Sequence, residues 1–399
     1  MNKGCVNAYM NLSIHPTGGV RPCCMSDKFL TTDNGQKSLD NASIKDFWFS
    51  KDRKSFAELL DSGKRIPECT ACWQEEDAGK DSKRIRDNRE YEGRTFDFNS
   101  LPVVLDLSMG NLCNLKCRIC SPRHSTPWLK EEAQRISPKD IKGYMKQPEW
   151  LIAKDSFEER NDYVWEDIKE LLEHAERFDF AGGEPFYIDA HWKMIKHSVD
   201  NGYSKNQYLH YNTNGTIFPE KYIDLLNEFK VVDIQISSDG IGKKFDYLRH
   251  GSPFELCEQN IDKFIAAKKS SDTTWYIGAC LSLSAFNAWD IFETYEHYAA
   301  KGIRMYINTV HDHHGVRVLP SKVKNKIISK IKQTTSKHDY QDWEKQKDMI
   351  CNLLTNTNGS SSDWKTFWSE VKMRDVIRNE SFEDTFPEYY KVLKENTNV

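Results

Sequence analysis

Between Leu101 and about Val310 the sequence alternates short β-rich segments with longer amphipathic ones, and this alternation constrains the fold more than any other feature. Six segments have the composition of strands: Val103 to Leu107, Phe178 to Ala181, Gln207 to Tyr211, Val231 to Ile236, Trp275 to Ser282 and Arg304 to Val310. Helical segments lie between them, for example Tyr163 to Glu176 and Ala288 to Lys301. The alternation predicts repeated β-α units around a parallel sheet, and six such units make an incomplete barrel.

Three cysteines, Cys113, Cys117 and Cys120, follow the first of these strands. Three thiolates can hold a four-iron cluster and leave one iron open to another molecule, whereas four thiolates would make a closed electron carrier. Two other interpretations stay open at this point. One is zinc, for which His124 is the nearby candidate for a fourth ligand, and the other is a set of buried structural cysteines. The spacing favours the cluster, and an open iron indicates chemistry.

A second group of cysteines lies in residues 1 to about 98, which contain few long periodic segments. Four of them can converge on one metal: Cys5, Cys23, Cys69 and Cys72. The C-x-x-C pair offers two adjacent ligands from a tight turn, and Gly18 allows a hairpin to bring Cys23 to the metal. Cys24 is not chosen, because consecutive residues seldom place both side chains on one metal. A four-cysteine zinc site and a four-cysteine cluster are not distinguishable from spacing.

The pattern C-x-x-x-C-x-x-C after a first strand resembles the signature of the radical S-adenosylmethionine (SAM) superfamily. Three further motifs follow strand-like segments in the order of that superfamily: Gly182-Gly183-Glu184-Pro185, Asn212-Thr213-Asn214-Gly215 and Ser237-Ser238-Asp239-Gly240. Ile119 departs from the pattern, because the family usually has an aromatic residue before the last cysteine. The upstream pattern C-x12-G-x4-C, followed by C-x-x-C, resembles the Twitch module, half of the SPASM module, although better-known members place it after the barrel.

The resemblance implies two four-iron clusters, one that binds SAM and one auxiliary, with SAM as the further cofactor. Reductive cleavage of SAM would give a 5′-deoxyadenosyl radical that removes hydrogen from a substrate. The residues expected to bind SAM are Gly182, Gly183, Glu184, Asn214, Ser237, Asp239 and Arg249. No catalytic acid, base or hydrogen donor is identified.

Each of these expectations has a plainer alternative. The glycine pair lets backbone approach the methionyl group, and Glu184 can accept from its amine or orient the loop. Ser237 and Asp239 can bond the ribose hydroxyls or form an ordinary turn. Asn214 can contact the nucleoside or fix its own turn, and Arg249 can pair with the SAM carboxylate or lie on the surface.

The chain is expected to have three parts. Residues 1–98 are predicted as a Twitch-like auxiliary iron–sulfur module, and 99–312 as a radical SAM partial barrel, a TIM-like (β/α)6 fold with a helical insertion at about 125–161. Residues 313–399 are predicted as a helical C-terminal extension that closes the barrel or helps to form the substrate pocket. In the loop after the sixth strand, residues 311–314 (His-Asp-His-His) can reach substrate or exchange a proton, and a solvated loop or a separate zinc site are the alternatives.

Composition limits the partners. The chain has 399 residues and a formal net charge of −4, which gives no general attraction to nucleic acid or membrane. No apolar run approaches the length of a bilayer and the first residues lack a secretory signal, so a cytoplasmic protein is predicted. In that compartment the eleven cysteines are not expected to form a disulfide framework, and the C-x-x-C and C-x-x-x-C-x-x-C patterns indicate metal binding instead.

The predicted function is therefore that of a radical SAM enzyme acting on a peptide by oxidation, epimerisation or cross-linking, with a reducing partner such as flavodoxin or ferredoxin. The enzyme alternative is a radical SAM dehydrogenase of a small carbohydrate or nucleoside. The alternative from another class is a non-catalytic zinc-binding interaction protein. Substrate identity, electron donor and oligomeric state are not determined by the sequence.

Overall fold

One mainly parallel sheet organises the computed structural model, which describes residues 4–137, 139–146, 162–338 and 343–397. Its strands are β1 (Asn11–Ile14), β2 (Val20–Arg21), β3 (Val104–Leu107), β4 (Arg177–Phe180), β5 (Tyr208–Thr213), β6 (Val231–Ser237), β7 (Thr274–Leu283) and β8 (Arg304–Thr309). The spatial order in the described residues is β2-β1-β3-β4-β5-β6-β7-β8, with only β2 antiparallel to its neighbour. The six predicted strands are confirmed as β3 to β8, and the α/β barrel-like class is confirmed with them.

Helices connect and cover the strands. The α-helices are α1 (Asn7–Met10), α2 (Ile44–Trp48), α3 (Lys51–Asp61), α4 (Thr70–Asp77), α5 (Lys83–Glu90), α6 (Thr126–Ala133), α7 (Ile141–Tyr144), α8 (Asp162–His174), α9 (Asp189–Asp200), α10 (Ile223–Leu226), α11 (Lys243–Leu248), α12 (Phe254–Lys269), α13 (Ile291–Ala300), α14 (Ser321–Lys332), α15 (Trp343–Asn356), α16 (Ser361–Arg378), α17 (Phe382–Thr385) and α18 (Pro387–Asn396). Of the predicted insertion at about 125–161, α6 and α7 are seen, and residues 147–161 lie outside the described part. No helix of the described part is long and apolar enough to cross a membrane.

The N-terminal segment is continuous with the barrel sheet. Strand β1 pairs in parallel with β3, with Ser13 opposite Asp106. Helix α5 crosses the inner face of the sheet: its Lys83 ammonium lies 3.7 Å from Asp179 on β4, and its Arg86 donates to the hydroxyl of Tyr306 on β8 at 2.8 Å. The first strand and α5 therefore fill part of the gap that six β-α units leave open.

The two faces of the sheet differ in polarity because side chains alternate along each strand. One face carries apolar residues such as Phe180 and Tyr211, whose rings contact His191 of α9 within the main core. The opposite, inner face carries a row of polar residues in register across five strands: Ser13, Asp106, Asp179, His210 and Asp233. The barrel interior is therefore polar rather than filled with apolar side chains.

Candidate functional site

The three cysteines of the barrel motif surround one cavity at the carboxyl ends of the strands. Its volume is about 190 Å³. It is lined by these predicted site residues: Cys113, Cys117, Cys120, Gly182, Gly183, Asn214, Ser237 and Arg249. In a parallel β-α barrel the loops that follow the strands share one mouth, which explains why motifs far apart in sequence meet here. Burial raises the pKa of the Cys113 thiol to about 12, so bound iron has to favour the thiolate there.

The glycine pair brings two loops together. Gly182 and Gly183 have φ angles of 77° and 57°. A Cβ at Gly183 would lie 2.3 Å from the carbonyl oxygen of Leu112, and one at Gly182 would lie 2.7 Å from Ser108. The glycines thus allow the loop after β4 to touch the chain that leads into Cys113.

Glu184 holds the next loop of the mouth and does not line the cavity. Its carboxylate accepts from the Thr213 hydroxyl and from the Asn214 backbone N–H, both at 2.7 Å, and from the Phe186 N–H at 3.3 Å. Burial raises the pKa of this carboxyl, and the N–H and O–H donors counter that effect. Of the two roles considered for Glu184, these contacts favour the orientation of the loop.

Asn214 makes the hydrogen bonds of a turn. Its Oδ1 accepts from the Thr216 N–H at 2.9 Å, and its Nδ2 donates to Asn114 Oδ1 at 2.8 Å, next to the first cysteine of the motif. The side chain therefore links the loop after β5 to the cysteine loop. Asn214 also lines the cavity, where it can contact a bound ligand.

Arg249 is buried and faces the cavity, so it is not a surface arginine. One guanidinium nitrogen donates to Asp239 Oδ2 at 2.7 Å, while Asp239 Oδ1 accepts from the Ser282 N–H at 2.9 Å. The Nε–H of Arg249 has no hydrogen-bond partner among the residues that the structure describes. Because an unsatisfied buried donor is costly, this N–H fits a carboxylate bound in the cavity, and Asp239 positions the guanidinium.

A set of charged residues behind the cysteine loop was missed by the sequence analysis. Arg118, between the second and third cysteines, donates to Asp375 on α16 at 2.7 Å and to Glu380 at 2.5 Å. Its guanidinium lies over the Tyr247 ring, 3.6 Å from the ring centre. The C-terminal extension thus packs against the outside of the loop, and no local pattern connects residues that are more than 250 positions apart.

The four predicted cysteines of the N-terminal segment also share one cavity. Cys5, Cys23, Cys69 and Cys72 line it together. Cys24 is not on that wall. The geometry agrees with the choice of Cys23 as the ligand.

Comparison with known families agrees with this geometry. Residues 107–279 match the family model described as the radical SAM superfamily, and residues 5–73 match the model of SPASM, an iron–sulfur cluster-binding domain. The chain therefore contains a radical SAM domain and, on its N-terminal side, an iron–sulfur cluster-binding module of the SPASM type. Its cofactors are SAM, a SAM-binding cluster and an auxiliary cluster. No curated protein sequence matches the chain.

Solved structures share part of the fold. Native anSMEcpe with bound AdoMet and the Cp18Cys peptide is 17% identical, with a TM-score of 0.36, and the match covers 57% of this chain and 58% of that one. SuiB of Streptococcus suis bound to S-adenosylmethionine is 12% identical, with a TM-score of 0.36 and coverage of 62% and 47%. SuiB bound to its precursor peptide SuiA is 12% identical, with a TM-score of 0.33 and coverage of 76% and 54%. The chain thus spans less than two thirds of the length of these proteins.

Proposed function

We propose that this protein cleaves SAM reductively at a cluster held by Cys113, Cys117 and Cys120 and uses the resulting radical to remove hydrogen from a peptide. The observation that carries the proposal is the single cavity lined by the three thiols, the glycine loop and a buried arginine with a free N–H. When bound to the open iron and reduced, SAM supplies the 5′-deoxyadenosyl radical.

The residues around the cavity have separate tasks. Arg249 binds the carboxylate of the methionyl part through its unpaired N–H, and Asp239 keeps the guanidinium in place. Glu184 fixes the loop that carries Asn214. Ser237, at the end of β6, lies on the wall where a hydroxyl can meet the nucleoside.

The auxiliary cluster is proposed to be held by the four cysteines of the N-terminal segment: Cys5, Cys23, Cys69 and Cys72. Four protein thiolates leave no iron open, so this cluster relays an electron or tunes a potential rather than binding substrate. The segment that carries these cysteines is joined to the barrel sheet, because β1 pairs in parallel with β3. A reductase of the flavodoxin or ferredoxin type is the proposed electron source.

The substrate is proposed as a peptide side chain or backbone that is oxidised, epimerised or cross-linked, following the resemblance of the N-terminal Twitch-like pattern to that of other radical SAM proteins. A second candidate, a small carbohydrate or nucleoside, is favoured by the polar inner face of the barrel. Asn212 lines the cavity, and His210 and Asp233 lie below it on the same face. Amide, imidazole and carboxylate groups suit hydroxyl-rich molecules.

Two cysteine variants test the ligand assignment after anaerobic reconstitution. The wild type should contain about eight iron and eight sulfide per chain, as expected for two four-iron clusters, and should form 5′-deoxyadenosine from SAM under a reductant. Cys117→Ala should abolish this cleavage. Cys72→Ala should lose about half of the iron and keep SAM cleavage. Retention of both clusters in Cys72→Ala, or zinc in place of iron in the wild type, contradicts the proposal.

The substrate class is tested by substrate-dependent 5′-deoxyadenosine formation. Peptides, and separately carbohydrates and nucleosides, are added to the reduced enzyme with SAM, and products are followed by mass spectrometry. A peptide that loses a hydrogen pair, or takes up deuterium from heavy water, supports the first candidate. Turnover with a carbohydrate or nucleoside alone selects the second. The genes adjacent to this one guide the choice, because a short precursor peptide there favours the peptide.

A further inference from the structure

The loop after β8 carries three ligand-type residues that the SAM and cluster sites do not use. Asp312, His313 and His314 offer one ligand atom each, all within 4.8 Å of one another. From the sequence alone, no carboxylate other than Asp312 could be identified as a partner of the two imidazoles. The structure supplies one from α16: Glu370 Oε2 lies 3.0 Å from His313 Nε2 and 3.4 Å from His314 Nε2.

Oε2 of Glu370 therefore faces the Nε2 atom of both histidines. The Nδ1 atom of each ring is left for another partner, and Asp312 Oδ1 lies 3.4 Å from His314 Nδ1. Asp312 is itself fixed, because its Oδ1 accepts from the His314 backbone N–H at 2.8 Å. Metal-ligating histidines commonly donate their other ring N–H to a carboxylate in this way, which fixes the tautomer and the ring orientation.

His314 is the independent observation that points to a ligand. The residue is only 4% exposed, and among the described residues neither ring nitrogen has a hydrogen bond of acceptable geometry, although a carboxylate oxygen lies 3.4 Å from each of them. A distance of 3.4 Å is longer than a normal N–H···O bond, but it equals the separation of two ligand atoms that share one ion through bonds of about 2.1 Å in tetrahedral geometry.

Consecutive residues seldom ligate the same metal, but here the three ligand atoms lie within 4.8 Å of one another. We propose that Asp312, His313 and His314 bind one divalent transition-metal ion such as Zn²⁺, with Glu370 orienting the two imidazoles. Two imidazoles and one carboxylate suit a first-row ion of this kind. Asp312 is exposed and 44% of the His313 side chain is exposed, so the ion has a route of entry and water can complete its coordination. The site would also join the loop after β8 to α16 of the C-terminal extension, through Glu370.

Zinc analysis of the reconstituted holoenzyme tests the site. Zn²⁺ alone is added, unbound ion is removed by gel filtration, and zinc, iron and sulfide are measured per chain. The wild type should retain about one zinc with its iron and sulfide unchanged. Asp312→Asn and His314→Ala should lose this zinc. His297→Ala is the matched control, because it removes a histidine that also lies 3.0 Å from a glutamate, Glu258, but has no such group of ligands.

A thermal measurement keeps the test valid if His314→Ala fails to fold. Zinc should raise the melting temperature of the wild type, a chelator should reverse the rise, and Asp312→Asn, a change at an exposed side chain, should respond to neither. Absence of retained zinc in the wild type, or equal retention in the variants and the control, overturns the proposal. A melting temperature of the wild type that is indifferent to zinc also overturns it.

Discussion

Replacement of Arg118 by alanine should loosen the loop that holds the SAM-binding cluster. The side chain is 1% exposed and joins the loop to the C-terminal extension through Asp375 and Glu380. Removing one partner of a buried ion pair costs about 3 to 5 kcal/mol, because the remaining charge stays buried without its counter-ion.

The cost should lie at the lower end of that range, because both carboxylates keep other partners. Asp375 still accepts from the Tyr247 hydroxyl at 2.7 Å and the Phe382 N–H at 2.8 Å. Glu380 remains 2.6 Å from His250 Nδ1. A loss of about 3 kcal/mol corresponds to a roughly hundredfold larger population of the opened loop.

Iron release to a chelator measures this opening. The holoenzyme should release iron in two phases, and the phase that is missing in Cys117→Ala belongs to the SAM-binding cluster. In Arg118→Ala that phase should be about a hundredfold faster, in line with the opening free energy, while the auxiliary phase keeps its rate. Lys116→Ala is the control in the same loop, since Lys116 is 25% exposed on its side chain.

The control should accelerate the phase by less than about fivefold, because a partly exposed pair contributes up to about 1 kcal/mol. Glu131, the partner of Lys116, also keeps Arg374 and Arg378 as counter-ions. Equal rates in Arg118→Ala and Lys116→Ala would refute the reasoning. So would a matching acceleration of the auxiliary phase, which would indicate general unfolding instead of a local effect.

Three further changes have defined outcomes. Gly183→Ala would place a Cβ 2.3 Å from a backbone oxygen and should lower 5′-deoxyadenosine formation at least about tenfold. Gly202→Ala is its control, because Gly202 also has a positive φ of 77° but has no atom within 4 Å of the added Cβ. It should leave 5′-deoxyadenosine formation unchanged and lower the unfolding free energy by only about 1 to 2 kcal/mol. Asp239→Asn removes the charge that holds Arg249 and should weaken SAM binding in equilibrium dialysis by about tenfold or more. Glu184→Gln replaces one acceptor oxygen by an NH₂ group, which then faces the donor of Thr213 or Asn214. The change should lower the unfolding free energy measured with denaturant by about 2 kcal/mol.

The strands of the barrel were predictable because each is a β-rich segment that alternates with a helical one along the chain. Strand β1 was not predicted although it is as long as β3 and β4, because its place beside β3 depends on a partner about 90 residues away. Whether such a short segment forms a strand is decided by its tertiary pairing, which the local sequence does not indicate.

At the site, the identity of the motif residues was predictable and their contacts were not. The motifs placed Glu184 and Asp239 at strand ends, which the structure confirms, but the groups that occupy their oxygens come from other loops, as Thr213 and Ser282 show. Glu370 and Asp375 reach the barrel from α16 without any sequence pattern. Only the three-dimensional fold brings such residues together.

The pairing of β1 with β3 also sets an order of events during synthesis. When the ribosome has made Cys72, all four cysteines of the N-terminal cavity exist, but β1 has only the two-residue β2 to pair with. A lone two-stranded hairpin is marginal in water, and chains grow from the N-terminus at about 5 to 20 residues per second. The edge of β1 therefore stays unpaired for several seconds, until β3 with Val104 has been made. A chain cut after residue 98 would contain the cysteines but lack the strand that pairs with β1.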